Sequence, residues 1–235
     1  MLVAAAVCPH PPVLVPGVAS GATPETDDLR ACASAALQKL VAAEPDLVVV
    51  VGAAPQVGPY DPQARGSLAP YGFDLQVGRG TGEATLPLSL TLGLWLLDSQ
   101  APELPRLLFG VAPDTEPDRC AALGAALADR VPRVAMLVMG DGSARRSLKG
   151  PGYLDVRAEP FDAEVERAMA RADPDALLGL DSLLADELLV AGRASWQVLA
   201  GAARNGGGAD AWQGSVAYAA APFGVSYLVA FWSRG

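Results

Sequence analysis

His10 is the only histidine in the 235-residue chain, and it sits among prolines in Cys8-Pro9-His10-Pro11-Pro12. An imidazole there can ligate a metal, serve as a general base, or pack at a strand end with one hydrogen bond. One imidazole cannot by itself supply the pair that a two-histidine iron or zinc centre requires. Cys8 lies two residues away, and in an extended segment it shares a face with His10. A Cys-His-carboxylate site is then conceivable, against the ordinary reading of Cys8 as a small buried hydrophobe.

A second chemical segment reads Gly140-Asp141-Gly142-Ser143, followed by Arg145 and Arg146. Asp141 is a candidate catalytic carboxylate beside His10. His10, Ser143, Arg145 and Arg146 form a candidate ligand-binding set. Paired arginines at the carboxyl end of a strand suit a carboxylate or phosphate; the other reading is a solvated loop leaning on Asp141. Other signatures are weak or missing. Gly78-x-Gly80-x-Gly82 lacks the context and the Lys-Ser/Thr tail of a phosphate loop. There is no G-x-S-x-G elbow and no CxxC pair. Trp95, Trp196, Trp212 and Trp232 are scattered and read as core or interface residues.

These residues must be positioned by neighbouring elements. Leu2–Val7 and Leu47–Val51 are short unbroken apolar runs that predict interior strands. Arg106–Val111 and Val134–Met139 predict two more. Helices are expected over 24–43, opened by Thr23-Pro24-Glu25, and over 88–98, 118–130 and 161–172. Two or three shorter helices are expected over 174–204. Gly206-Gly207-Gly208 reads as a flexible turn, and 215–219 and 225–232 as a closing strand pair. Residues 56–85 are the longest weakly patterned stretch, with one expected strand at Phe73–Val77. Strands alternating with helices predict a single α/β domain over 1–235. Its central sheet is mainly parallel with helices on both faces, and the closing pair is antiparallel. The loops 8–12, 52–55 and 140–143 then lie at the carboxyl edge, where sites form in open α/β sheets.

Composition narrows the function classes. Hydrophobic residues make up 51% and charged ones 18%, which suits a packed domain rather than a disordered chain. A net charge of -9 disfavours nucleic acid and anionic membrane surfaces. Three widely spaced cysteines are not a disulfide framework and suit a reducing, cytoplasmic setting. The N-terminus lacks the basic region of a signal peptide, and no apolar stretch is long enough to span a bilayer.

The stretch from Ala4 to Pro16, with its Pro9-His10-Pro11-Pro12 core, resembles the opening of class III extradiol ring-cleavage dioxygenase catalytic (B) subunits and their MEMO-like relatives. Pro45–Val51, Gly140–Ser143, Phe161–Leu180 and Pro222–Ala230 are similar to later segments of that family, in the same order. The resemblance implies an iron-binding histidine at His10. It also exposes losses. The family's second histidine falls at Ala54, and the histidine after its GD-x-S segment falls at Ala144. The metal carboxylate falls in the later helical region, on Asp186 or Glu187. Alanine offers no lone pair, and ring cleavage needs Fe(II) held by two imidazoles and a carboxylate.

The expectation is therefore a dioxygenase-like protein without metal or ring cleavage, which binds a small molecule or a protein partner in the former cleft. The alternative is an active dioxygenase or other oxidoreductase holding Fe(II) or another divalent ion around His10, with Asp141 or Glu187. A homo-oligomer, with two copies of His10 meeting at a two-fold axis, is a further expectation.

Overall fold

The computed structural model describes residues 1–18, 23–205 and 211–235; the triglycine turn at 206–208 lies outside them. The strands are β1 (Leu2–Cys8), β2 (Leu47–Ala53), β3 (Gly58–Pro59), β4 (Gly66–Ser67), β5 (Gln76–Val77), β6 (Arg106–Val111), β7 (Val134–Met139), β8 (Trp212–Ala220) and β9 (Tyr227–Arg234). The helices are α1 (Thr23–Ala42), α2 (Leu88–Gln100), α3 (Pro117–Ala128), α4 (Ala158–Arg171), α5 (Pro174–Leu178), α6 (Ser182–Glu187) and α7 (Arg193–Asn205).

Seven strands form one sheet in the order β3-β6-β2-β7-β1-β9-β8. The inner four, β6, β2, β7 and β1, are parallel. β9 joins β1 antiparallel and β8 joins β9 antiparallel, as expected of the closing pair. The two-residue β3 adds an antiparallel pairing at the opposite edge. The expected strand at 73–77 shortens to β5, which pairs with β4 as a separate two-stranded piece. Runs this short carry no periodicity, so their pairing is set by the turn around them.

The strands are apolar because both faces are covered. β7 is buried at every residue, as parallel strands between helical layers must be. One core joins Val7, Val49, Val51, Met136 and Val138 to α3, α4 and α7. The other joins Ala6, Cys8, Val48, Val50 and Leu137 to α1 and α2. The alternation along each strand assigns its residues to the two faces in turn. α2 is buried nearly all round. Its Gly93 permits that depth, since a Cβ there would stand 2.5 Å from a Val50 methyl. Within the described residues no helix is long and apolar enough to cross a membrane.

The registers bring three strand ends level. Cys8 pairs with Met139, Val51 with Val138, and Ala53 with Val111. The loops after β1, β2 and β7 therefore leave the sheet at one carboxyl edge.

Candidate functional site

The loop after β1 is tied directly to the loop after β7. The amide of His10 donates to Asp141 Oδ1 at 2.7 Å. The imidazole Nδ1 stands 3.6 Å from the same oxygen, which is too long for a hydrogen bond. That nitrogen is buried and has no hydrogen-bond partner among the described residues. His10 as a whole is 8% exposed. An imidazole this covered has little surface to offer a second copy across a two-fold axis.

Asp141 is fixed from the other side as well, because its carbonyl accepts from the Gly192 amide at 2.9 Å. Tyr227 opens β9 close by and is 4% exposed. Burial pushes its phenol up, and the nearby Asp141 carboxylate adds to the shift. The phenol therefore keeps its proton.

Ser143 turns the other way, onto Asp162 of α4. Its amide donates to Asp162 Oδ1 at 2.9 Å and its hydroxyl to Oδ2 at 2.6 Å. Arg146 Nη1 donates to the same Oδ2 at 3.0 Å, and its Nη2 lies 3.5 Å from Glu159 Oε1. Asp162 is 7% exposed, so it is a buried carboxylate satisfied by three donors. Gly142 is required between the two acids. Its amide donates to the Ser226 carbonyl at 2.8 Å, and a Cβ there would meet Ser226 Cβ at 2.7 Å and Asp162 Oδ1 at 2.8 Å. A cavity of about 140 Å³ opens beside this cluster, lined by Arg146, Glu159, Asp162, Glu166 and Ser226 among others.

Trp196 of α7 lies against the glycines of this edge. A Cβ on Gly140 would stand 2.8 Å from the indole Nε1, and one on Gly192 would stand 2.2 Å from the ring. The residue is fully buried, and its Nε1 has no hydrogen-bond partner. The indole thus fills space directly beyond the carboxyl end of β7.

Two sequence-selected residues take structural parts. Arg145 donates to the Glu187 carbonyl at 2.6 Å and to the Gly152 carbonyl at 2.5 Å. These bonds clamp two loops together. Arg146 leans on Asp162, not on Asp141. Glu187 is exposed, and its carboxylate pairs with Arg157 at 2.6 Å; Arg157 also pairs with Asp155. These pairs leave Glu187 committed away from His10. Asp186 contributes its carbonyl to the Leu189 amide at 3.0 Å.

The donor set does not suit a ring-cleavage iron. His10 and Asp141 come together, but among the described residues no three His, Cys, Asp or Glu side chains converge on one point. Cys8 faces the apolar cluster of α1 and α2, and burial pushes its thiol up to about 12. A protonated, desolvated thiol is a poor ligand. Ala54 is buried, and its methyl lies against Gly110. Ala144 bonds through its backbone, donating to the Leu188 carbonyl and accepting from the Gly152 amide, each at 3.0 Å.

Asp162 and Tyr227 were not singled out by the sequence, and Trp196 was read there as a core or interface residue, which matches its burial. Asp162 carried a faint signal: it follows Phe161 at the start of the helix expected over 161–172, and a buried acid there needs partners. Trp196 carried none beyond its type.

No protein-family model matches the chain, and no curated protein matches it in sequence. Among solved structures it is similar to an uncharacterized protein, JW3007, from Escherichia coli K12. The two superpose with a TM-score of 0.55 over 98% of this chain and 99% of that one, at 14% identity. At that identity the likeness is one of fold.

Proposed function

We propose that this chain is a divergent relative of the class III extradiol dioxygenases that retains an α/β scaffold and acts by binding, not by iron-dependent ring cleavage. The observation that carries this reading is the condition of His10. The only imidazole of the chain has Asp141 as its acidic neighbour, and that carboxylate already accepts from His10's own amide. Alanine at 54 and 144 and the indole of Trp196 beyond β7 support it from the other sides.

The ligand site would be the cavity beside Ser143, Arg146 and Asp162. Its lining mixes one guanidinium with three carboxylates and the Ser226 segment. A small polar molecule carrying a positive group next to a hydrogen-bond acceptor matches that pattern.

The test is an oxygen-uptake screen on catechols with protein loaded anaerobically with Fe(II), run beside a thermal-shift screen of small polar amines. Absence of oxygen consumption together with a stabilising amine is the expected outcome. Catechol turnover would overturn the reading.

A further inference from the structure

A second cavity, of about 190 Å³, lies between α1, α2 and the segment that follows β1. It shares no lining residue with the cavity beside Asp162. Its walls are mainly carbon. Leu14 and Leu37 line it with no exposed surface, joined by Leu96 at 5% exposed and by half-buried Trp95. The hollow follows from side-chain size. Arg30, Ser34 and Leu37 succeed one another at helical spacing on α1, as do Leu96, Ser99 and Gln100 on α2. Serine at 34 and at 99 fills less of the space between the helices than the larger residues beside it.

One end of the cavity is polar. Gln100 Nε2 donates to Ser34 Oγ at 3.0 Å and ties the two helices together. Among the described residues this leaves the Gln100 side-chain carbonyl and the Ser34 hydroxyl proton without partners. An acceptor and a donor next to each other match a hydroxyl group, which both donates and accepts. Arg30 does not call for an anion. Its Nη1 pairs with Asp27 at 2.8 Å, and its Nε and Nη2 donate to the Leu14 and Val13 carbonyls. That positive charge is answered before any ligand arrives.

We propose that this cavity binds a small neutral alcohol with an apolar body about the size of one benzene ring. Size sets the body, since an apolar cavity of about 150 Å³ accepts benzene and this one is slightly larger. The leucines and Trp95 cover the body, and the Gln100–Ser34 pair receives the hydroxyl. The proposal rests on a different cavity and a different ligand chemistry from the reading above, so either can fail alone.

A titration of the isotopically labelled full chain with cyclohexanol, followed by amide chemical shifts, tests it. The expected result is saturable shifts concentrated on α1 and α2, with a Kd at or below about 1 mM. Ser34→Leu fills the hollow and is expected to abolish binding. Gln100→Ala removes only the polar end, at the last residue of α2, and is expected to weaken binding about three- to tenfold. The spectra of both variants report whether the fold is kept. Cyclohexanecarboxylate, which has the same body but brings a charge the site does not pair, is expected to bind more weakly than cyclohexanol. The proposal is overturned by an absence of saturable shifts in the parent, by undiminished affinity in either variant, or by tighter binding of the carboxylate.

Discussion

The backbone amide of His10 and the carboxylate of Asp141 meet at 2.7 Å across two strands that are adjacent in the sheet and 131 positions apart in the chain. A hydrogen bond to a charged acceptor at a part-buried place contributes about 1.5–3 kcal/mol. Asp141→Ala is expected to lower stability by that amount, read from the urea midpoint at unchanged slope. Asp141→Asn keeps an acceptor oxygen and is expected to lose less than half as much. Equal losses in the two variants would mean that the charge, not the bond, holds the loops together.

Asp162 is the more demanding position. Removing its side chain leaves Arg146 with only the exposed Glu159 beside it and the Ser143 hydroxyl without its acceptor. Asp162→Ala is expected to cost about 3–5 kcal/mol, as for other broken buried pairs. Ser143→Ala is expected to cost about 1–2 kcal/mol. A double-mutant cycle between them should return a coupling above about 0.5 kcal/mol, because the two side chains touch. Strict additivity would contradict the geometry.

Trp196 is held by shape, since its indole nitrogen has no hydrogen-bond partner. Trp196→Ala is expected to cost about 3–5 kcal/mol and to leave a void beside Gly140 and Gly192. Trp196→Phe, which gives up part of the ring but no bond, is expected to cost clearly less. If small aromatic molecules bind the alanine variant and not the parent, the indole is what fills that edge of the sheet.

The thiols give a pH dependence. Burial pushes Cys8 to about 12 and Cys120 to about 11, above their ordinary value of 9.0. The folded state therefore holds these protons more tightly than the unfolded one. Their contribution is intact below pH 9 and declines from there toward pH 12, by up to about 1.4 kcal/mol per pH unit for each thiol. Unfolding followed from pH 8 to 11 should show this loss, and Cys8→Ala should flatten it. At neutral pH a thiol reagent should modify Cys32, which is partly exposed, ahead of the two buried cysteines.

The scaffold was legible where burial is two-sided. β1, β2 and β7 read as unbroken apolar runs, and the structure places β6 and β7 at the expected limits. His10 and Asp141 were legible as a pair only through topology, because parallel β1 and β7 carry both loops to one edge. The partner of Ser143 was not legible, since nothing local links a loop serine to an acid 19 residues on. The fates of Arg145 and Glu187 were equally hidden. A sequence shows a charge but not whether a carbonyl or an arginine has already claimed it. β3, β4 and β5 are two residues each, too short for any pattern. The exposure of Tyr153, Val156 and Leu183 was not legible either, because hydropathy alone reads them as ordinary hydrophobic content.

The most direct test of the central claim is metal content by plasma mass spectrometry. The protein would be loaded anaerobically with Fe(II), Mn(II) or Zn(II) and desalted, with His10→Ala treated in parallel. The expected result is far less than one metal per chain, with parent and variant indistinguishable. Near-stoichiometric metal that disappears in His10→Ala would contradict the claim and restore an active metal site around His10.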